Sequence, residues 1–412
     1  MSKNRKDSKG RVLLRGESQR KTKPEYVYSY YDPYGKRRFI YASSLQELRK
    51  KKDILKRDQL DGIDVYAAGK SDINYVFDRY MSAKVGLRPT TRDNYIYMYE
   101  KYVRSTFGKR KIAEVKYSDV KAFYLDLVNK TGLSINSLHT VHSVLYPVFE
   151  LAVRDDIIRK NPSYRIMDDI VKSTGRRKGR RKALTVEEQK AFMNYILDNP
   201  YLFKWWSVFT VLFETGLRAG EFIGLRWDDV DFEKGIIDIN HAVIYTNNRY
   251  SNKRSEFILA EPKTECGKRT VPMTENVRLA LNMEYEKQKE EGFNTNVVDG
   301  MSGFIFQNAF GNLYNSGSLT TAIKRIVHHY NADEILKASK QRREPVLLPN
   351  FSVHITRHTF CVRLCELDVN LKAIQAIMGH ADIRTTMDIY AECTDAKKKE
   401  SIAILNSNLK LY

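Results

Sequence analysis

The C-terminal half of the chain holds six side chains whose types and order suit attack on a phosphodiester. His354 and Arg357 lie three residues apart, Gly379-His380 follows twenty-two residues after Arg357, and Tyr390 lies ten residues beyond His380. Arginine and histidine can neutralise a phosphate, lysine can donate a proton, and tyrosine becomes nucleophilic when a base or nearby cations favour its phenolate. The complete set is Arg218, Lys263, His354, Arg357, His380 and Tyr390.

Several of these residues also have a simpler interpretation. Arg218 follows a predicted buried helix that Gly216 can end, and Glu221 lies one turn further on, where it either orients Arg218 or only pairs with it. Lys263 lies in a predicted β-hairpin, where it either protonates a leaving oxygen or only contacts backbone phosphate, as Lys268 and Arg269 would. His380 follows a helix predicted to end before Gly379, so it either joins the site or caps that helix.

The patterns around these residues predict a multidomain α+β fold. Residues 1–70 are expected to form a three-stranded sheet plus one helix, and residues 71–170 a helical domain with helices over 73–83, 90–104, 117–130 and 134–154. A basic linker is expected over residues 171–183. Residues 184–412 are expected to form a larger, mainly helical domain with a small antiparallel sheet.

The net charge of +20 is concentrated in the first part of the chain. The first 182 residues hold 42 Lys and Arg against 21 Asp and Glu, whereas the remaining residues hold 28 against 29. Such an asymmetry is typical of a polyanion-binding region, and nucleic acid is the expected partner. The alternative is a basic surface that only keeps the protein soluble.

Two basic segments are the candidate DNA contacts. In the N-terminal domain, strands are predicted over 11–15, 26–31 and 37–41, so that Arg37 and Arg38 lie on a sheet that could enter a major groove. Ser44 and Glu47 form a capping-box pattern that predicts a helix to about residue 60. The second segment is the linker, in which we expect phosphate contacts from Arg176, Arg177, Lys178, Arg180, Arg181 and Lys182.

Composition excludes several classes of protein. Apolar residues make up 42% of the chain and no apolar run approaches the length of a membrane span, so neither a membrane helix nor an ordinary signal peptide is expected. The four cysteines are too few and too irregular for a disulfide framework or a zinc finger, which favours a reducing cytosol. No acidic cluster suited to two magnesium ions accompanies the six residues, so we expect neither metal nor cofactor.

The order and spacing of the six residues resemble those of the tyrosine recombinase, or phage-type integrase, family. The layout is closest to integrases of conjugative transposons, which also carry a small DNA-binding domain at the N-terminus. The likeness covers most of residues 73–400 and is most specific over 354–390. It implies that Tyr390 attacks the scissile phosphate to form a 3′-phosphotyrosyl link and frees a 5′-hydroxyl.

The resemblance also assigns roles to the other residues. Arg218, Arg357 and His380 would hold the charge on the pentavalent phosphorus, Lys263 would protonate the leaving oxygen, and His354 would assist proton transfer at the tyrosine. The expected activity is integration and excision of a mobile element, a conjugative transposon or prophage, without metal or ATP. It would take place in the bacterial cytoplasm, in association with the nucleoid.

The same resemblance implies an assembly on DNA. The helical and catalytic domains would close around a core site, the N-terminal domain would bind a separate arm site, and four copies would form a tetramer. The tail after Tyr390 has apolar residues at near-helical spacing and would pack on a neighbouring protomer, or else on its own domain; these residues are Ile402, Ile404, Leu405, Leu409 and Leu411. An excisionase or a host DNA-bending protein is a further partner to consider.

Two other functions are compatible with parts of the pattern. A type IB topoisomerase-like enzyme would use the same tyrosine chemistry to relax supercoils, although an arm-like domain and an oligomerising tail argue against it. A non-catalytic DNA-binding regulator would not need Tyr390. Replacement of Tyr390 by phenylalanine separates the regulator from both enzymes.

Overall fold

The computed structural model describes residues 5–20, 23–31, 36–60, 71–176, 182–246, 255–262 and 265–391. It divides into two compact units, Met1–Gly179 and Arg180–Tyr412. The mixed α+β fold predicted from the sequence is confirmed. Among the described residues, no helix is both long enough and apolar enough to cross a membrane.

The first unit begins with an antiparallel sheet packed on one helix. The strands are β1 (Glu17–Gln19), β2 (Tyr26–Tyr31) and β3 (Arg37–Ala42), in that spatial order, and the helix is α1 (Leu45–Leu60). Ser44 Oγ accepts a hydrogen bond from the Glu47 amide, as the predicted cap requires. The strand expected over residues 11–15 is wrong: Asp7 accepts the Arg11 amide across a turn, Val12 forms only an isolated bridge with Lys6, and the first strand is β1 instead.

A helical bundle follows in the same unit. Its helices are α2 (Ile73–Ala83), α3 (Pro89–Tyr99, continued by a π-helical turn Glu100–Arg104), α4 (Tyr117–Asn129), α5 (Ile135–Arg154) and α6 (Ile166–Thr174). Asp72 and Ser134 cap α2 and α5 through their side chains. The four predicted helical segments are present, and their apolar faces pack around the fully buried Tyr124 and Phe149.

The last helix of the bundle was not expected. Helix α6 runs into the segment predicted as linker, since residues 171–174 are helical and Gly175 ends the helix in the left-handed conformation, with φ of 63°. Its buried side, which includes Ile166 and Ile170, packs on the bundle core. The basic composition of the following residues concealed this short amphipathic helix. Residues 177–181 of the predicted linker lie outside the described residues.

The second unit contains helices and small antiparallel sheets. Its helices are α7 (Val186–Asp198), α8 (Trp206–Thr215), α9 (Ala219–Ile223), α10 (Glu275–Glu291), α11 (Ser316–Gln341), α12 (Val353–Glu366) and α13 (Leu371–Met378), with a further helical stretch over 383–391. Its strands are β4 (Val230–Asp231), β5 (Ile236–Ile239), β6 (Ala242–Thr246), β7 (Glu256–Ala260) and β8 (Arg269–Pro272). The described strands form one sheet of order β4-β5-β8 and one β6-β7 hairpin.

The core of this unit surrounds α8. Phe209, Val211 and Leu212 of α8 are fully buried, and Gly216 ends the helix in the left-handed conformation, as the sequence predicted. A side chain at position 216 would collide with Phe360 of α12. The end of α8 is therefore pressed against α12, and this contact brings the chain around Arg218 next to the helix that carries Arg357.

Candidate active site

Arg218 and Glu221 form a pair at the start of α9. The Arg218 amide donates to Glu221 Oε2 over 2.9 Å, and Arg218 Nη1 donates to Glu221 Oε1 over 2.7 Å. Glu221 is 8% exposed, whereas the Arg218 side chain is 42% exposed. Glu221 therefore holds the arginine from its buried side and leaves part of the guanidinium accessible to a ligand.

The short helix α9 lies directly on the backbone of β6. A Cβ atom at Gly220 would lie 3.1 Å from the Val243 carbonyl oxygen, and one at Gly224 would lie 3.0 Å from the Val243 amide nitrogen. Only glycine permits such a close approach without displacing the strand. The β6-β7 hairpin consequently packs closely against the helix at whose start Arg218 lies.

Arg357 lies one turn along α12 from His354 and is buried, with 4% of its surface exposed. Its Nη1 donates to the Gly216 carbonyl over 2.7 Å, and its Nη2 donates to the Met378 carbonyl. It thus joins the C-terminal ends of α8 and α13, where the helix dipoles favour a cation. Burial, followed by the charge of Arg218, lowers the pKa of Arg357 to about 9, which still leaves it protonated at neutral pH.

His380 follows the left-handed Gly379 that ends α13 and is half-buried. Its Nδ1 shares a 2.9 Å hydrogen bond with Thr386 Oγ1, which leaves Nε2 as the nitrogen that a substrate can reach. Burial and then the charges of Arg357, Arg218 and Arg269 lower the pKa of His380 to about 4, so the imidazole is neutral at neutral pH. His354 lies near enough to contribute to this shift and is exposed in the first turn of α12.

Tyr390 lies on the helical stretch 383–391 and packs against α12, which carries Arg357, and α13. It packs, partly buried, on an apolar cluster that includes Cys361 of α12 and Met378 of α13. The fully buried Thr386 joins this stretch to His380. The stretch is capped by Asp382, which accepts the Arg384 amide.

One residue of this network was not predicted to belong to it. Arg269, at the start of β8, donates from Nε to the Ile377 carbonyl over 2.6 Å and from both terminal nitrogens to the two oxygens of Glu221, over 3.1 and 2.8 Å. Its side chain is 5% exposed. Burial alone would raise the pKa of Glu221, but the hydrogen bonds and charge of Arg269, together with Arg218, lower it to about 2.

Three arginines consequently meet at one turn. The carbonyl groups of Ile377, Met378 and Gly379 accept hydrogen bonds from Arg269, Arg357 and Arg218 respectively, the last over 2.8 Å. Within the described part of the chain, this site, the arginine turn, combines three cations with a single buried carboxylate. The excess positive charge and the remaining guanidinium N–H groups suit a bound phosphate.

Not all of the predicted residues fall within the described part of the chain. Lys263 lies outside the described residues, as do Arg177, Lys178, Arg180 and Arg181. Arg176 Nη1 donates to the Val128 carbonyl over 3.3 Å at the end of the bundle, and Lys182 is exposed at the start of the second unit.

The two arginines of β3 lie on opposite faces of the N-terminal sheet. Arg37 is on the face with the exposed Phe39 and Tyr41, and its guanidinium lies over the Phe39 ring. Arg38 is on the other face, with Ile40. The sequence predicted the same DNA contact for both arginines, but only Arg37 belongs to the exposed aromatic face.

Two family matches together account for much of the chain. The phage integrase family matches residues 182–397, which include all six candidate catalytic positions. The DNA binding domain of Tn916 integrase matches residues 1–61, which include the β1-β2-β3 sheet and α1.

Individual relatives extend the likeness over nearly the whole chain. The transposase from transposon Tn916 of Enterococcus faecalis is 29% identical over 417 residues, covering 96% of this chain and 95% of the relative. The ICEBs1 integrase of Bacillus subtilis is 26% identical over 320 residues, covering 77% and 78% of the two chains. A solved structure of the Tn1549 transposon integrase in complex with a circular intermediate DNA superposes with a TM-score of 0.69 at 26% identity, covering 80% of this chain and 99% of that one. The chain therefore belongs to the phage integrase family and is a tyrosine recombinase.

Proposed function

We propose that this protein integrates and excises a mobile element, a conjugative transposon or prophage, by cutting and rejoining DNA through Tyr390. The Tyr390 oxygen attacks the scissile phosphorus, a bond forms between them, and the bond to the 5′-oxygen breaks. The phosphodiester energy is kept in the 3′-phosphotyrosyl link, so that attack by a 5′-hydroxyl rejoins the strand without ATP. The arginine turn is the observation that carries this proposal.

The residues of the arginine turn would hold the charge that develops on the phosphate. Arg218 is half-exposed and would approach one oxygen, while Arg357, fixed between two helix ends, would contribute a donor that cannot rotate away. His380 Nε2 would bind a further oxygen. Preorganised donors of this kind stabilise a transition state because they need no rearrangement as charge develops.

Two proton transfers complete the proposed reaction. The Tyr390 proton leaves as its oxygen bonds to phosphorus, and His354, exposed at the start of α12, would assist this step. The leaving 5′-oxygen would take its proton from Lys263. In the reverse reaction the same groups exchange donor and acceptor roles.

The remaining domains would select the DNA. We propose that the N-terminal sheet binds an arm site through Arg37 and its aromatic neighbours. This face of the sheet is exposed, and residues 1–61 match a DNA-binding family. The bundle and the catalytic domain would close on the core site, with phosphate contacts from the basic segment around Arg176 and Lys182. Four copies would assemble on DNA in the bacterial cytoplasm, with the C-terminal tail packed on a neighbour. An excisionase or a host DNA-bending protein is a further partner to test.

A suicide-substrate assay tests the proposal. A duplex that carries the candidate attachment site and a nick near the scissile phosphate is incubated with protein in EDTA, and the products are separated on a denaturing gel. We expect covalent protein–DNA adducts from the wild type and none from Tyr390→Phe, with DNA affinity nearly unchanged, because phosphate contacts elsewhere dominate binding. The matched control is Tyr201→Phe, an exposed tyrosine of the same unit, which should form adducts normally.

The other outcomes identify the competing functions. Intact DNA binding without adducts from the wild type would favour a regulator. Adducts accompanied by relaxation of a supercoiled plasmid that lacks a partner site, without recombinants, would favour a topoisomerase-like enzyme.

A further inference from the structure

We infer that Arg269 is a positioning residue that sets the direction of Arg218 and the place of His380 for strand cleavage. The inference rests on the function proposed above. Arg269 is not itself expected to contact DNA, because its side chain is 5% exposed and its hydrogen bonds are to protein groups.

The first step concerns competition for Glu221. An arginine beside a carboxylate tends to form two parallel hydrogen bonds with it. Arg269 occupies both oxygens of Glu221, and the Arg218 side chain contacts only Oε1. Arg218 can therefore direct Nη2 to the Gly379 carbonyl instead. Without Arg269, the buried carboxylate would draw Arg218 into a two-point pair and away from the phosphate.

The second step concerns the end of α13. Arg269 Nε donates to the Ile377 carbonyl, and its alkyl chain fills the space beside Gly379. A Cβ atom at Gly379 would lie 3.1 Å from Arg269 Cδ and 2.9 Å from the Cys266 carbonyl oxygen. This packing fixes the turn from which His380 projects. Lysine would keep the charge but lacks the planar fork that reaches Ile377 and both Glu221 oxygens at once.

The third step is electrostatic. Arg269 is one of the cations that, after burial, Arg357 and Arg218, depress the pKa of His380. It also offsets the negative charge of Glu221, which Arg218 alone would otherwise face. Arg269 thereby keeps the field at the site positive, where a phosphate is to bind.

The experiment compares Arg269→Lys and Arg269→Gln with a matched control, Arg343→Lys. Arg343 forms the same kind of two-point pair with the buried Glu334, in the same unit, and shares no hydrogen bond with the arginine turn. Single-turnover cleavage of the nicked duplex at saturating protein, duplex affinity and thermal unfolding are measured for each. Amide hydrogen exchange of the DNA-free full-length protein is followed over residues 376–381, whose amides include Gly379 and His380.

We expect Arg269→Lys to cleave about 100-fold more slowly than the wild type, as a displacement of about 1 Å would cause. Duplex affinity should change by less than about 3-fold, because the substitution removes no phosphate contact. Exchange over 376–381 should rise in both Arg269 variants. The Arg343→Lys protein should keep its cleavage rate and its exchange over 376–381, even if its melting temperature falls as far as that of the Arg269 variants.

A second substitution distinguishes an effect on the orientation of Arg218 from a general loss of folding stability. In the double variant Arg269→Gln with Glu221→Gln, the carboxylate that would capture Arg218 is gone, so cleavage should be faster than in Arg269→Gln alone. Unchanged exchange over 376–381, or a cleavage loss matched by Arg343→Lys, would overturn the inference. If the wild type forms no adduct, the proposed function fails, and the exchange measurement still decides whether Arg269 positions the turn.

Discussion

Two histidines, one in each compact unit, have the same low pKa for different reasons. Burial, with the charge of His139, lowers the pKa of His142 to about 4 in the bundle, where its Nδ1 bonds the Tyr124 hydroxyl over 3.1 Å. Burial also lowers the pKa of His380 to about 4, but three arginines contribute. As far as the described residues show, the bundle around His142 offers no cationic site for an anion, whereas the arginines around His380 can bind one and so change its pKa. A shifted pKa alone therefore does not identify a functional site, and the cause of the shift does.

The strongest test of the cationic site is Arg357→Lys. Lysine cannot bridge the Gly216 and Met378 carbonyls as the guanidinium does, so the best-fixed donor is lost. We expect single-turnover cleavage to fall by about 100- to 1,000-fold, the usual effect of removing one preorganised donor. Duplex affinity should change little, and equal losses in affinity and rate would contradict a transition-state role.

The comparison of the two histidines can be tested by titration. Inorganic phosphate, used as a probe of the anion site, should raise the pKa of His380 by about one unit or more, because an anion offsets the arginine charges. The pKa of His142 should not move. Histidine proton resonances followed by NMR at matched ionic strength, with His380→Gln and His142→Gln for assignment, give both values. A shift at both histidines, or at neither, would remove the distinction.

The smallest expected effect is that of His142→Gln. Its folded-state pKa lies below the ordinary value, so the unfolded chain binds more protons between about pH 6.5 and 4, and the wild-type bundle should lose stability as pH falls through that window. Glutamine can still accept from Tyr124 and does not titrate. We expect a loss of about 1 kcal/mol at neutral pH, a shallower decline towards pH 4 in urea unfolding, and unchanged cleavage. A steeper decline would contradict the assigned cause.

The sequence predicted those parts of the molecule that local pattern determines. The helices α2 to α5 follow from apolar spacing, and Gly216 and Gly379 end helices where expected. The link from Arg269 to Ile377 joins positions 108 residues apart, and no local signal reveals it. Helix α6 was missed because its basic continuation resembled a linker.

The site residues show the same division. Residue type and spacing singled out Arg218, Arg357 and Tyr390, since phosphate chemistry restricts the choice of side chain. What each guanidinium contacts depends on which backbone carbonyls tertiary packing leaves at the ends of α8 and α13. The inequality of Arg37 and Arg38 follows from strand register, which the Tyr31–Arg37 pairing fixes.

The excess of positive charge at the arginine turn has a consequence for protein engineering. Arg218 and Arg357 repel each other across a site with one compensating carboxylate, and this repulsion is a cost in folding free energy. A selection for heat resistance alone should favour replacements that relieve it, such as a neutral residue at position 218. Thermostable variants obtained in that way should be inactive, so a useful selection has to demand recombination as well as survival of heating.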